Sequence, residues 1–407
     1  MSLSAHQQAM LDGRHGWPQQ LGMQLLTAVA RAFDADTLIP VASVHLSLSG
    51  VSVGEPGLRL FESLAGRGGH FVVPTTLNVL SADRRSVGRT PALHAKEQMQ
   101  LGILDACKRM GALTTCSCNP FLLGFNPAFG ESVAWNESAS APYVNAVLGA
   151  RTNREGATAL ASALTGYTVE YGMHVEANRR GSVIVEVDAA GVQGSDAFAV
   201  LGGAVARACG GRIPVIEGIA ARPTLDEFTA FCASFATVGP LAIFHMAGIT
   251  PEAPTRDAAL CNEPVSTTRI TRADLDAESA LYSTARNDRV DVVAVGCPHA
   301  SIEQIREVAD AVGSAQVHPD TLFVVQTSAV IAAQAAAEGL ADRLADARVE
   351  LTADTCVHIA FREAPPGATL ATNALKIAYL SASHDINVRF GSLRQCVRAA
   401  IAGRWLD

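Results

Sequence analysis

The chain has 407 residues, 49% of them hydrophobic, enough for a large core and more than one domain. Its formal net charge of −8 excludes the basic surface that a nucleic-acid partner requires. Neither a leader peptide nor an apolar run suited to a bilayer is legible, so a cytoplasmic protein with no membrane partner is expected. Lys96, Lys108 and Lys376 are the three lysines, and arginine supplies the rest of the positive charge. That bias points to a GC-rich bacterial genome rather than to function.

In chain order, Leu21–Phe33 and Ala95–Met110 read as helices, and Phe71–Thr76 between them as a strand. The stretch 114–156 is rich in Gly, Asn, Pro and Ser and has little periodicity; so long a segment inside a compact domain is commonly functional. Ser182–Val187 reads as a further strand. Beyond it, apolar β-branched runs alternate with Ala-rich helical patterns. Val290–Val295 is a buried strand followed by Gly296-Cys297-Pro298-His299. A helix starts at Ser301, whose spacing to Gln304 makes a capping box. Leu322–Gln326 is the next strand, Ser328–Ala347 a helix, and Val349–Leu351 a strand ending at Asp354-Thr355-Cys356. This βαβαβ order predicts an α/β fold with parallel sheets, in which Cys297 and Cys356 fall at carboxyl ends of strands, where such sheets place ligands. Approximate regions are 1–195, 196–280 and 281–407, the last carrying both cysteines.

The nine cysteines sort by context. Cys107, Cys209, Cys232 and Cys396 lie on apolar helical faces and read as small buried hydrophobes. Cys261 is in a loop. Cys118, Cys297 and Cys356 are also in loops, two of them beside Pro120 and Pro298. No CxxC pair exists, which excludes a zinc ribbon or a contiguous ferredoxin motif. Cys116 and Cys118 form a C-x-C, and spacing alone does not choose between them.

Ordered segments along nearly the whole chain resemble the aconitase X family. They include Val73-Pro74-Thr75-Thr76-Leu77-Asn78, Gly130-Glu131-Ser132-Val133-Ala134-Trp135-Asn136-Glu137-Ser138, and Val147-Leu148-Gly149-Ala150-Arg151-Thr152-Asn153-Arg154-Glu155-Gly156. Tyr171-Gly172-x-His174, Gly296-Cys297-Pro298-His299, Asp354-Thr355-Cys356 and Thr372-Asn373 with Lys376 follow. The resemblance implies an aconitase-like large subunit built of several α/β layers, with the smaller swivelling domain on a separate subunit. It also implies an iron–sulfur cluster, 2Fe–2S or 3Fe–4S, on Cys118, Cys297 and Cys356, with His299 hydrogen-bonding behind it. Ala146 and Ala374 stand where the family usually has serine, which bears on the substrate.

The activity implied is loss of water from a small β-hydroxy carboxylate. Such an elimination needs a Lewis acid for the departing hydroxide, a base for the α-proton, and cations or amides for the carboxylate. Arg151 and Arg154 suit the carboxylate, since guanidinium binds it through two parallel hydrogen bonds. Asn78, Ser138 and Asn153 are orienting candidates, and Lys376, Glu155 and Glu137 acid–base candidates. The expected substrate is cis-3-hydroxy-L-proline. The alternatives are mevalonate 5-phosphate, for which no lysine-rich cluster is present, and a non-catalytic iron–sulfur scaffold.

Overall fold

The structure, a computed structural model, describes residues 1–81, 91–188, 190–263, 265–356, 367–382 and 386–406. Of these, residues 1–81, 91–182 and 242–263 form one compact unit and residues 183–241 and 265–406 another.

The first unit is built around a short parallel sheet. β1 (Leu38–Pro40) pairs antiparallel with a later strand, β5 (Tyr167–Val169). β2 (Val44–Leu46) lies between β3 (Thr75–Leu77) and β4 (Ala134–Trp135), parallel to both. Side chains alternate across a strand, so Val44, Leu46 and Leu77 enter a core shared with Phe61, Leu64 and Ile103 of helices Gly50–Gly66 and Pro91–Arg109. The expected strand Phe71–Thr76 forms only over Thr75–Leu77. Pro74 has no N–H to give a ladder, and pairing begins immediately after it.

In the second unit β6 (Val183–Val187) runs parallel between β7 (Pro214–Glu217) and β8 (Ser266–Ile270). A five-stranded sheet follows: β9 (Val292–Val295), β10 (Leu322–Thr327), β11 (Val349–Ala353), β12 (Thr369–Thr372) and β13 (Asn387–Phe390). All pairs are parallel, in the order β11-β10-β9-β12-β13. The near-continuous apolar runs are what a sheet covered on both faces requires. The predicted capping box at Ser301 starts helix Ile302–Val312. The single helix expected over Ser328–Ala347 is two, Ala329–Ala337 and Leu340–Asp346. Gly339, at φ +73°, breaks it, because the left-handed region cannot continue a right-handed helix.

The order of the large sheet creates a switch point. The chain lays down β9, β10 and β11 outward in one direction, then returns to place β12 on the other side of β9. Connections therefore leave the carboxyl ends of β9 and β12 in opposite directions and open a crevice there. Cys297 follows β9 and Asn373 follows β12. In the first unit β2 likewise has β3 on one side and β4 on the other.

Candidate active site

The first unit places polar residues in two rows on one face of its sheet. His45 is in register with Thr76 and with Trp135. Two residues further on come Ser47, Asn78 and Glu137. The backbone ladder continues through them, with Asn78 N donating to Leu46 O at 2.8 Å and Asn136 N to His45 O at 3.1 Å. In the outer row, Asn78 Nδ2 donates to Glu137 Oε2 at 2.9 Å and to Ser47 Oγ at 3.1 Å. Because a carboxylate only accepts, this contact orients the Asn78 amide. Glu137 Oε1 accepts from Ala139 N at 3.1 Å and, at longer range, from Ser138 Oγ. The chain carrying Cys118 runs beside this row: Ser117 N donates to Leu77 O at 3.1 Å, and Leu77 N to Thr115 Oγ1 at 3.0 Å. Cys118 is buried.

In the inner row His45 is fully buried, with Nδ1 2.8 Å from Thr76 Oγ1. Burial pushes its pKa down to about 4, opposed by the nearby Glu137 carboxylate. Thr76 Oγ1 is itself 3.3 Å from Val44 O, to which it donates. It therefore accepts from Nδ1–H, and His45 is neutral with Nε2 unprotonated at neutral pH.

The dense motif 151–155 divides by role. Arg154 is exposed; surrounding protein holds its pKa below the usual guanidinium value, while Glu137 acts in the opposite direction. Arg151 donates to the His174 carbonyl at 3.1 Å and pairs with Glu176. Asn153 uses both ends of its amide on the backbone of 171–173, accepting from Met173 N at 2.8 Å and donating to Tyr171 O at 3.2 Å. Gly172 sits so close that a Cβ there would lie 2.3 Å from Asn153 Oδ1. Glu155 is buried; Oε2 accepts from Thr158 Oγ1 at 2.5 Å, and Oε1 lies 3.3 Å from Nε2 of the buried His174. His174 Nδ1 lies 3.2 Å from Ser132 Oγ.

The second unit gathers its candidates at the switch point. Gly296, at φ +98°, packs so tightly that a Cβ would lie 2.2 Å from Gln326 O, which sets the path of the chain into Cys297. His299 Nε2 donates to Thr355 O at 2.8 Å, tying the Cys297 loop to the Cys356 loop. Both cysteines are half-buried. Lys376 stands in the first turn of helix Leu375–Ala382 and lines, with Cys297, Asn373 and Asp226, a cavity of about 30 Å³. Asn373 Nδ2 donates to Asp196 Oδ1 at 3.0 Å.

All nine cysteines are thiols. Burial pushes the Cys107 thiol up to about 12 and those of Cys232 and Cys396 well above the usual value, which removes them as thiolate donors. Among the described residues no three His, Cys, Asp or Glu side chains stand together as a ready metal site. The donor chemistry of Cys118, Cys297 and Cys356, soft sulfur on loops at or beside strand ends, fits an iron–sulfur group. No described helix is long and apolar enough to cross a membrane.

Residues that sequence reasoning missed are Ser47, Asp196 and Asp226. Asp226 was hidden by its place in an ordinary capping box, Thr224 to Glu227. Ser47 gave no signal beyond its position two residues past His45.

Comparison with known proteins covers the chain almost completely. Models described as the aconitase X first, second and third domains match residues 1–177, 181–280 and 290–402. A cis-3-hydroxy-L-proline dehydratase of Pseudomonas aeruginosa is 34% identical over 99% of this chain and 70% of its own length. A phosphomevalonate dehydratase large subunit of Methanothermobacter thermautotrophicus is 33% identical over 88% of each chain. The crystal structure of Thermococcus kodakaraensis aconitase X in its holo-form superposes with a TM-score of 0.87 at 28% identity, covering 98% of this chain and 100% of that one.

Proposed function

This chain belongs to the aconitase X family and is a hydro-lyase, and we propose that it dehydrates cis-3-hydroxy-L-proline to Δ1-pyrroline-2-carboxylate. The substrate reading is supported by how the arginines in and near the motif are placed. Arg151 is engaged by Glu176 and the His174 carbonyl. Arg179 is 1% exposed and engaged by Glu252, Asn145 and the Ala150 and Met173 carbonyls. Arg154 is the exposed guanidinium of the motif, and its planar fork suits one carboxylate. A phosphate ester brings roughly two further negative charges at neutral pH. The 34% identity to two cis-3-hydroxy-L-proline dehydratases supports the same choice.

Elimination removes the C2 proton and the C3 hydroxide, giving water and an enamine that tautomerises to the cyclic imine. Cys118, Cys297 and Cys356 are the residues that would hold an iron–sulfur cluster. When bound, the cluster supplies a Lewis acid for the departing hydroxide. Arg154 binds the substrate carboxylate, and Asn78 and Ser138 orient it. Lys376 Nζ takes the C2 proton. Glu137 is held on both oxygens by Asn78, Ala139 and Ser138, which orients it beside Asn78. Asn153, Glu155 and Arg151 act one layer back by holding the 171–176 segment, and His299 joins the two cysteine loops.

A separate small subunit completes the enzyme, a reading supported by relatives named as large subunits. Those same names carry the second reading, a mevalonate 5-phosphate dehydratase. Incubating the anaerobically prepared complex with each compound and following imine formation and water loss tests the choice. Turnover of the phosphate ester alone overturns the hydroxyproline reading.

A further inference from the structure

Two half-buried carboxylates outside the motif segments contact the two loops at the switch point of the large sheet. Asp226, in the first turn of helix Leu225–Val238, accepts from Ser301 Oγ at 2.8 Å. Ser301 is the N-cap of helix Ile302–Val312, and its Oγ also accepts from Gln304 N at 3.2 Å. It follows Cys297 by four residues. Asp196, in the first turn of helix Gly194–Ala208, accepts from Asn373 Nδ2 at 3.0 Å on Oδ1 and from Leu393 N at 2.9 Å on Oδ2. Asn373 precedes Lys376 by three residues.

Both aspartates border a cavity of about 240 Å³ shared with Glu227, Glu307, Gln304 and Asn373, and its lining contains no lysine or arginine. Burial raises the pKa of each above the usual carboxylate range. Neighbouring Glu303, Glu307 and Glu227 add to the effect on Asp226, and its hydrogen bond from Ser301 opposes it. Carboxylates in such a place cost stability, and an apolar pair would fill the layer at lower cost. What they supply is directional: each accepts hydrogen bonds that anchor the start of a site loop.

The rest of each loop is tied down in the same unit. Ala300 N donates to Gln326 O at 2.8 Å and Thr327 Oγ1 to Ala300 O at 2.7 Å, so the Cys297 turn is clamped at Ala300. Thr372 Oγ1 donates to Ala294 O at 2.8 Å and accepts from Ala374 N at 3.1 Å. The bonds to Asp226 and Asp196 add a side-chain anchor from neighbouring helices to each of the two loops.

We infer that Asp226 is a positioning residue for Cys297, acting through Ser301, and that Asp196 is a positioning residue for Lys376, acting through Asn373. The inference rests on the reading of Cys297 and Lys376 as site residues. It makes an asymmetric prediction about amide substitution. Asp226 needs one acceptor oxygen toward Ser301, and asparagine still has one. Asp196 accepts two; asparagine keeps one acceptor for Leu393 N and forces the Asn373 amide to turn its oxygen toward the new NH2, so the conservative change still alters the contact that holds Asn373.

The test uses the anaerobically purified holoenzyme and reads iron release to a chelator, the pH profile of turnover, and melting temperature. Asp226→Ala should release iron about tenfold faster, the usual size of an effect behind a metal ligand, while Asp226→Asn should return the rate to within about twofold of wild type. Asp196→Asn and Asp196→Ala should both lower kcat on the order of 10–100-fold, as expected of a displaced catalytic group, and should move the pH profile with iron release unchanged. Parallel losses of iron, rate and melting temperature in all four variants would reduce the aspartates to general structural groups and overturn the inference. Wild-type behaviour of the alanine variants would overturn it equally. Cys297→Ser separates the two levels: if it retains iron, the site reading fails, and if it loses iron while Asp226→Ala releases iron at the wild-type rate, only the positioning role fails.

Discussion

His45 should remain neutral well below the pH at which an ordinary histidine protonates, and this has a calculable effect on stability. Its pKa falls from 6.5 to about 4, chiefly because the ring is fully buried. Between those values the unfolded chain binds a proton at this residue that the folded chain refuses. Stability is therefore complete above about pH 7 and is lost as pH falls through 6.5 toward 4. At about 1.4 kcal/mol per pH unit, the whole loss is on the order of 3 kcal/mol. Between pH 7 and pH 5 the same linkage gives about 2 kcal/mol. The perturbation is His45→Gln, which keeps a side-chain partner for Thr76 and does not titrate. The assay is urea unfolding at pH 7 and pH 5, with histidine-selective NMR to locate the imidazole midpoint. The wild-type midpoint in urea should fall more than that of the variant over this interval. A midpoint for His45 above pH 6, or identical pH responses of the two proteins, would refute the reasoning. The result matters for the site because a cationic His45 would pair with Glu137 and draw it from Asn78.

Single serine substitutions of Cys118, Cys297 and Cys356 should each bleach the visible absorption and abolish turnover, whereas Cys107→Ser, at a buried thiol with pKa up to about 12, should leave iron content unchanged. Gly296→Ala should lower iron content and melting temperature together, because its Cβ would lie 2.2 Å from the Gln326 carbonyl at a φ of +98°. Arg179→Met should destabilise the first unit by about 3–5 kcal/mol, the cost of leaving the partner of a buried ion pair uncompensated, read as a loss in denaturant midpoint. The small companion subunit should copurify with the chain when the two are coexpressed, and its removal by gel filtration should depress turnover while iron content stays the same.

The local sequence determined the features that depend on short-range pattern. Near-continuous apolar runs gave β9 and β10, a capping box gave the helix start at Ser301, and the βαβ alternation placed Cys297 and Cys356 past the ends of parallel strands. The failures were also local in origin: Pro74 delayed a strand and Gly339 divided a helix. Partner choice was decided only by the tertiary structure. Asn78 meets Glu137 across 59 positions, Ser301 meets Asp226 across 75, and Asn373 meets Asp196 across 177. Strand order brings these residues together, and nothing in their own neighbourhoods encodes it. The same is true of Arg151, Asn153 and Glu155. Their spacing suggested a site, but a side chain's availability depends on which donors and acceptors the fold sets against it, and these three are taken up by Glu176 and His174, by the 171–173 backbone, and by Thr158 and His174.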